Sequence, residues 1–419
     1  MGILAGMFRN GKDIPMESTS FYSQILGITR PWKVVNVDLN MEAKRVVIRV
    51  EVDRKAKWGH PETKLAASLH KWTERTWRHL DTCQFETLIT ANVPSVKHQD
   101  GSIEEIAVPW AERYQRITKL MAQAVILWLE ACGNVSKVAK IMGLDWGTVN
   151  SVMKASVERG LLRREKEVIE HAGMDEKSFR RGHIYASILN DLDNNRVWDL
   201  VEGRKTENAR ELLDTLSEEQ RAGVKAVAMD MWAAYEKAVN EKLPNADIVH
   251  DKFHISSYLN EAVDDVRKEE HQQLMKEGDE TLKNTKYQWL RNFPDLRGEP
   301  SFQSLYNANL KTSLAWRLKD TFSGFWNYGY IGAAKKFFKE WCKQVKRSKL
   351  EPMMTVATML ENRLQGLLNY LKHRITNAAS EGMNSLVARI IANARGLRTF
   401  AKLRIRVLFF LGKLNLSIA

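Results

Sequence analysis

Five side chains in this 419-residue chain have the type and spacing to hold a cation. Asp230 closes a short apolar run, Ala226-Val227-Ala228-Met229, which reads as a buried strand. A helix from about Trp232 to Leu243 follows and stops at Pro244-Asn245. A second strand, Asp247-Ile248-Val249-His250, then delivers Asp251, with His254 one helical turn beyond. Upstream, Ile169–Met174 leads into Asp175-Glu176, and strand alternation lets only one of these two acids face a given site, taken to be Asp175. Far downstream, Glu381 sits in the first turns of a helix capped by Thr376 or Asn377 and running to about Ala394. Asn384 and Ser385 share its face, and Arg374, Arg389, Arg395 and Arg398 are near in sequence. Isolated carboxylates at strand ends are costly to bury, which a bound cation would relieve. Helix capping by Asp230 and Asp251, and a dipole role for Glu381, explain the same residues as well when each is taken alone.

The elements that must position these groups run β-β-β-α-β-α-β. Strands are expected at 169–174, 183–190 and 196–201, a helix over Glu207–Glu219, and then the strand–helix–strand unit above. That order is the one found in RNase H-like nuclease domains, where strands one and four are neighbours. Asp175 and Asp230 would then meet despite their separation, and two adjacent carboxylates need a counter-ion or a shared proton. Two Mg2+ (or Mn2+) ions clamping a phosphodiester would suit them. Residues 255–372 read as helical throughout, an insertion carrying Trp289, Trp316, Trp326 and Trp341 and a basic segment, Lys335–Lys349. The tryptophans could stack on unpaired bases or fill a bundle core, and the core is expected for most of them.

The formal charge of +13 points to a polyanionic partner, nucleic acid first. No apolar run approaches the roughly 20 residues of a membrane span, and no signal-peptide pattern opens the chain. Three scattered cysteines make no disulfide framework and fit a cytoplasmic protein, here nucleoid-associated. Residues 1–30 suggest an extended arm, followed by a β-rich module to residue 110 with a hairpin turning at Asn40–Ala43. Within it, Trp77-Arg78-His79-Leu80-Asp81 could touch phosphate or anchor a small core. His60, His70, His79 and His98 lack zinc-site spacing. Residues 111–166 turn helical, and Asn134–Gly160 has the helix–turn–helix pattern, with a turn at Gly143-Leu144-Asp145. Its second helix would present Trp146, Gly147, Thr148, Asn150, Ser151 and Lys154 to DNA, backed by the basic run Arg159–Lys166.

Several segments carry a more specific signal: WRHLDTCQFET (77–87), VPWAE (108–112), MDEKSFRRGHIY (174–185), EGR (202–204), MDMWAAY (229–235), DKFH (251–254) and TNAASEGMNS (376–385). With these, the chain resembles bacterial insertion-sequence transposases of the DDE type, the group written ISL-three. The resemblance implies an RNase H-like catalytic domain (167–254 and 373–419) interrupted by the all-helical insertion (255–372). It also implies a catalytic, metal-holding trio at Asp175, Asp230 and Glu381, with Asp251 and His254 as an accessory pair supporting the site or the DNA. Arg374, Arg389 and Arg395 are expected to contact DNA. The family's zinc ribbon is degenerate here, since the expected cysteine positions read Lys55–His60 and Lys97–Gln99, so zinc is not expected. The implied activity is Mg2+-dependent cleavage at terminal inverted repeats and strand transfer to target DNA by at least a dimer. A catalytically silent DNA-binding regulator is the alternative, against which the intact acids argue.

Overall fold

The computed structural model describes residues 17–56, 58–59, 66–165, 167–180, 184–292, 300–308, 310–394, 396–397 and 399–418. His60, His183, Arg395 and Arg398 lie outside them. The chain divides into two compact units, residues 1–156 with 416–419, and residues 157–415.

The first unit holds a six-stranded sheet. Strands β1 (Trp32–Asn40) and β2 (Arg45–Val52) form the expected hairpin, and alternation along β2 buries Val46, Ile48, Val50 and Val52. β2 pairs in parallel with β5 (Phe85–Lys97), which pairs with the long β4 (Ala66–Thr82); β3 (Trp58–Gly59) and β6 (Ile103–Glu105) complete the sheet. Of the arm expected over residues 1–30, residues 1–16 lie outside the described residues, and Ser18–Ile25 is instead a helix with Tyr22 buried against this sheet's core. Trp77 is likewise a core anchor, edge-on to Trp110 at 5.4 Å, and Arg78 is taken up by Asp81 and Glu86. The reading of that clause as a phosphate contact gives way to the structural one. His79 bonds Thr118 at 2.9 Å and His98 bonds Glu104 at 3.0 Å. Three helices follow, Lys119–Cys132, Val135–Met142 and Trp146–Leu162. Asn134 caps the second through Lys137 N–H, and Gly143 ends it at φ +60°, a left-handed turn that a Cβ would strain.

The second unit is built on a five-stranded sheet in the order β11-β10-β7-β8-β9. β7 (His171–Arg180), β8 (Ile184–Asp191) and β9 (Arg196–Glu202) are antiparallel, while β10 (Ala226–Met229) and β11 (Asp247–His250) run parallel to β7. β7 extends through Asp175-Glu176 instead of ending at Met174, because β8 continues the pairing past both acids. The single helix expected over 207–219 is two, Thr206–Leu213 and Glu218–Gly223, since Ser217 and Gln220 form a capping box that starts a new helix. Side-chain alternation divides β10 between two cores. Val227 and Met229 pack with Leu212, Tyr235 and Val239 on one face, and Ala226 packs with Val249, Leu367 and Leu368 on the other.

Among the described residues from 252 to 373, a series of helices from Lys252–Lys276 to Leu364–His373 shares that second core. Trp289, Trp316 and Trp341 are fully buried there, and Trp326 packs against it, so these rings are bundle core and not base platforms. Lys319 is buried with them. Its ammonium donates to Asn260 Oδ1 (3.1 Å) and to the carbonyls of Trp289, Leu290 and Arg291 (3.0, 3.1 and 3.0 Å), answering the open end of the helix Lys286–Leu290. Burial pushes its pKa down to about 8. Lys319→Met keeps the aliphatic stem and strands the carbonyls of Trp289 and Leu290. The expected loss is on the order of 2–4 kcal/mol, several degrees in the thermal midpoint; an unchanged midpoint would show that the cap is dispensable.

Candidate active site

Register explains how three of the acids come together. Gly173, Ala228 and Val249 are register partners across β7, β10 and β11. Two residues on in each case come Asp175, within β7, and Asp230 and Asp251, each one residue past the end of β10 and β11, and a period of two carried across those ends puts all three on one face. Parallel strands leave all three at the carboxyl end of the sheet, where β10 and β11 stop and new helices begin. Asp251 starts its helix, Lys252–Lys276, by accepting from Phe253 N–H at 3.3 Å, and Asp230 accepts from Met231 N–H at 2.6 Å. The capping reading therefore holds for Asp251 without exhausting its role, since Oδ2 of Asp251 is buried with no hydrogen-bond partner.

The fourth acid arrives on the helix Ala378–Asn393, which lies across β7. Its close approach depends on Gly173. A Cβ there would stand 2.3 Å from Ser380 Oγ and 2.9 Å from Leu192 Cδ2. Asn377 occupies the cap position but makes no side-chain cap bond; its backbone N–H lies near the Asp251 carboxylate and favours its ionised form. From this helix Asn384 donates to Asp175 Oδ2 at 2.6 Å. Ser385 bonds back to the carbonyl of Glu381 at 3.1 Å, so it supports the helix and not the acid. One turn before Asn384, Glu381 brings a ligand atom to within 4.8 Å of those of Asp251 and His254, and these three are the one such His/carboxylate group among the described residues. His254 Nδ1 stands 3.5 Å from Asp230 Oδ2. The pair read from sequence as accessory thus stands within the acid cluster, between Asp230 and Glu381.

Burial dominates the electrostatics. It pushes Asp175 up to about 6; the Glu176 N–H bond to its carboxylate and the nearby His254 oppose the shift, while the charges of Glu176 and Asp230 add to it. Burial also raises Glu176, which Arg204 (3.7 Å away) partly compensates, and Asp251. Crowded, desolvated carboxylates with an orphaned oxygen and one imidazole make a donor set suited to a hard divalent cation such as Mg2+ or Mn2+.

In the helix–turn–helix, Asp145 caps the last helix through Thr148 N–H at 2.9 Å and also accepts the Thr148 hydroxyl. Those bonds hold Asp145 below the usual carboxylate range. Trp146 and Lys154 are exposed, and Thr148 and Asn150 half-buried. Among the arginines, Arg389 is exposed. Arg374 instead donates to the carbonyls of Trp326 and Tyr328 (3.0 and 2.7 Å), an engagement that ties it to the helical insertion. Arg395 lies outside the described residues.

Comparison with known proteins gives the family. The model of the ISL3 transposase DDE domain, described as a transposase, matches residues 172–407. A second model, the helix-turn-helix domain of transposase family ISL3, matches residues 106–157. The chain is 30% identical over 351 residues to the transposase for insertion sequence element IS1001 of Bordetella parapertussis, covering 81% of this chain and 86% of that protein. The chain belongs to the ISL3 transposase family. The transposase for insertion sequence element IS1557 of Mycobacterium tuberculosis is 28% identical over 193 residues, 45% of this transposase and 43% of that protein. No helix among the described residues is long and apolar enough to cross a membrane.

The raised value of Asp175 has a testable sign. Against an ordinary 3.8, a folded-state value of about 6 penalises the ionised form by roughly 3 kcal/mol. The penalty appears as pH rises from about 4 to about 6 and is complete above. Metal-free Asp175→Asn should therefore unfold later than wild type at pH 8, with the gap closing towards pH 4. His250, pushed down to about 4 by burial, is common to both proteins and cancels. Added Mn2+ should reverse the order by stabilising wild type alone. A gap that does not vary with pH would refute the burial argument.

Proposed function

We propose that this transposase is a DDE enzyme of the cut-and-paste type, acting on the terminal inverted repeats of its element, with Asp175, Asp230 and Glu381 as its catalytic acids. The observation that carries the proposal is the row Asp175–Asp230–Asp251 on one sheet face, with Glu381 brought against it by the helix Ala378–Asn393. An RNase H-like assignment is supported by the sheet order, three antiparallel strands continued by two parallel ones. The helices from Lys252–Lys276 to Leu364–His373 follow the fifth strand of that sheet, as an insertion would.

Divalent cations, two per site, would activate water and then the freed 3′-hydroxyl, and would offset charge on the phosphoryl oxygens. Every other part of the reaction falls to the chain. Asp175 and Asp230, side by side across β7 and β10, form the shared wall of the site. Asn384 fixes the orientation of Asp175 by donating to Oδ2, which leaves Oδ1 to the strand end and Glu176 N–H. Asp251 and His254 stand near enough to Glu381 to share a cation with it. His254, 3.5 Å from Asp230, links the two halves of the cluster. In-line attack needs no covalent enzyme intermediate, so positioning is the main demand on the protein. Residues 111–166 would dock the DNA end by the helix beginning at Trp146, with Trp146, Thr148, Asn150 and Lys154 towards the groove. Residues 1–110 would add a further end-binding surface, and Arg389, exposed on the helix that carries Glu381, a phosphate contact. Two ends must be cut and joined, which calls for at least a dimer.

A strand-transfer assay with cognate ends and Mg2+ tests the assignment. Asp175→Asn, Asp230→Asn and Glu381→Gln should each lose activity by at least about a hundredfold while binding the ends as wild type does. Equal activity in the variants would defeat the assignment, and end binding without cleavage by wild type would favour a silent regulator.

A further inference from the structure

Three of the segments that carry the family resemblance have residues with no part in the acid cluster: Tyr185 of HIY, Arg204 of EGR and Trp232 of MDMWAAY. They converge on one cleft of about 580 Å3 beside the site, within the range of small-ligand sites (roughly 300–1,000 Å3). Arg204 is the hinge of the arrangement. Its guanidinium carbon lies 4.0 Å from the Tyr185 ring centre and 5.3 Å from that of Trp232, so the cation is placed against both aromatic rings. One guanidinium nitrogen is 3.7 Å from Glu176, the residue next to Asp175. The Trp232 indole N–H donates to the Arg204 carbonyl at 3.3 Å, which orients the ring. Yet Trp232 remains 40% exposed, a large apolar surface left open two residues after Asp230.

We propose that this cleft binds one unpaired DNA base, stacked on Trp232, from the nucleotide next to the phosphodiester held by the acids. Stacking on an aromatic face suits any base and needs no sequence readout. The ring is pre-oriented, so little freedom is lost on binding. The rim is of mixed sign, with Lys205 and Arg204 against Glu202 and Glu207, which disfavours a lone phosphate and suits a neutral base whose phosphate lies outside. Asn208, whose carboxamide oxygen accepts from Lys205 N–H at 3.1 Å, supplies a polar edge on the same wall. The proposal rests on the acids being the place where DNA is cut.

The test uses the full-length protein without divalent metal and a single strand of about eight thymidines carrying 5-iododeoxyuridine at one position, irradiated and mapped by mass spectrometry. A crosslink is expected at Trp232 or Tyr185. It should survive Trp232→Phe and disappear in Trp232→Ala, with strand affinity falling roughly fivefold to a hundredfold. Arg204→Met, which removes the cation beside both rings, is a second variant expected to weaken the crosslink without touching Trp232. No crosslink, crosslinks only elsewhere, or undiminished crosslinking in Trp232→Ala would overturn the proposal. Asp230→Asn separates the two readings: it should keep the crosslink and lose metal-dependent cleavage, whereas cleavage by that variant would count against the acids and leave the cleft standing.

Discussion

Lateral registration of β7, β10 and β11 is the constraint on which the site depends. Because Gly173, Ala228 and Val249 are in line, Asp175, Asp230 and Asp251 are in line two residues later. A slip of one residue in either parallel pairing would turn one acid to the opposite face. Registration is secured by burial on both faces, with β10 fully buried between two cores. Carboxylates carried by such a frame stay desolvated and close together, and it is burial first, with neighbouring negative charge adding to it, that raises their proton affinity, most clearly at Asp175.

Glu381 reaches the cluster by a different route. It lies 151 positions after Asp230 (381 − 230) in the chain, and its approach is set by a glycine on the sheet and small polar residues on the helix. Gly173 admits Ser380, the Asn377 N–H stands near Asp251, and Asn384 grips Asp175. The interface is polar and only partly satisfied: both amide atoms of Asn377, Ser380 Oγ and Asn384 Oδ1 are buried without partners. Such groups cost stability, and here they lie directly behind the acids, where a dry, rigid backing favours electrostatic work.

Much of this was legible in sequence because the signals were local. The strand Asp247–His250 and the turn at Gly143-Leu144-Asp145 follow from apolar runs and caps a few residues long. The acids could be nominated because each ends or interrupts a buried run. What sequence could not supply was long-range. The partnership of Asn384 with Asp175 spans 209 positions, and nothing in its neighbourhood except its spacing from Glu381 pointed to it. Gly173 looks like any strand glycine until the helix that presses on it is known. The placement of Asp251 and His254 against Glu381 depends on how the helix Ala378–Asn393 docks, which no local pattern encodes. Local competition explains the smaller differences: Ser217 and Gln220 divide one expected helix in two, and Tyr22 draws residues 18–25 into a helix against the first sheet.

The central claim is that these separated acids form one divalent-cation site, and anomalous scattering from crystals soaked in Mn2+ addresses it directly. The account predicts manganese density bounded by carboxylate oxygens of Asp175, Asp230 and Glu381, with Asp251 or His254 at its edge. Density bound only elsewhere, or none at millimolar Mn2+, would contradict it.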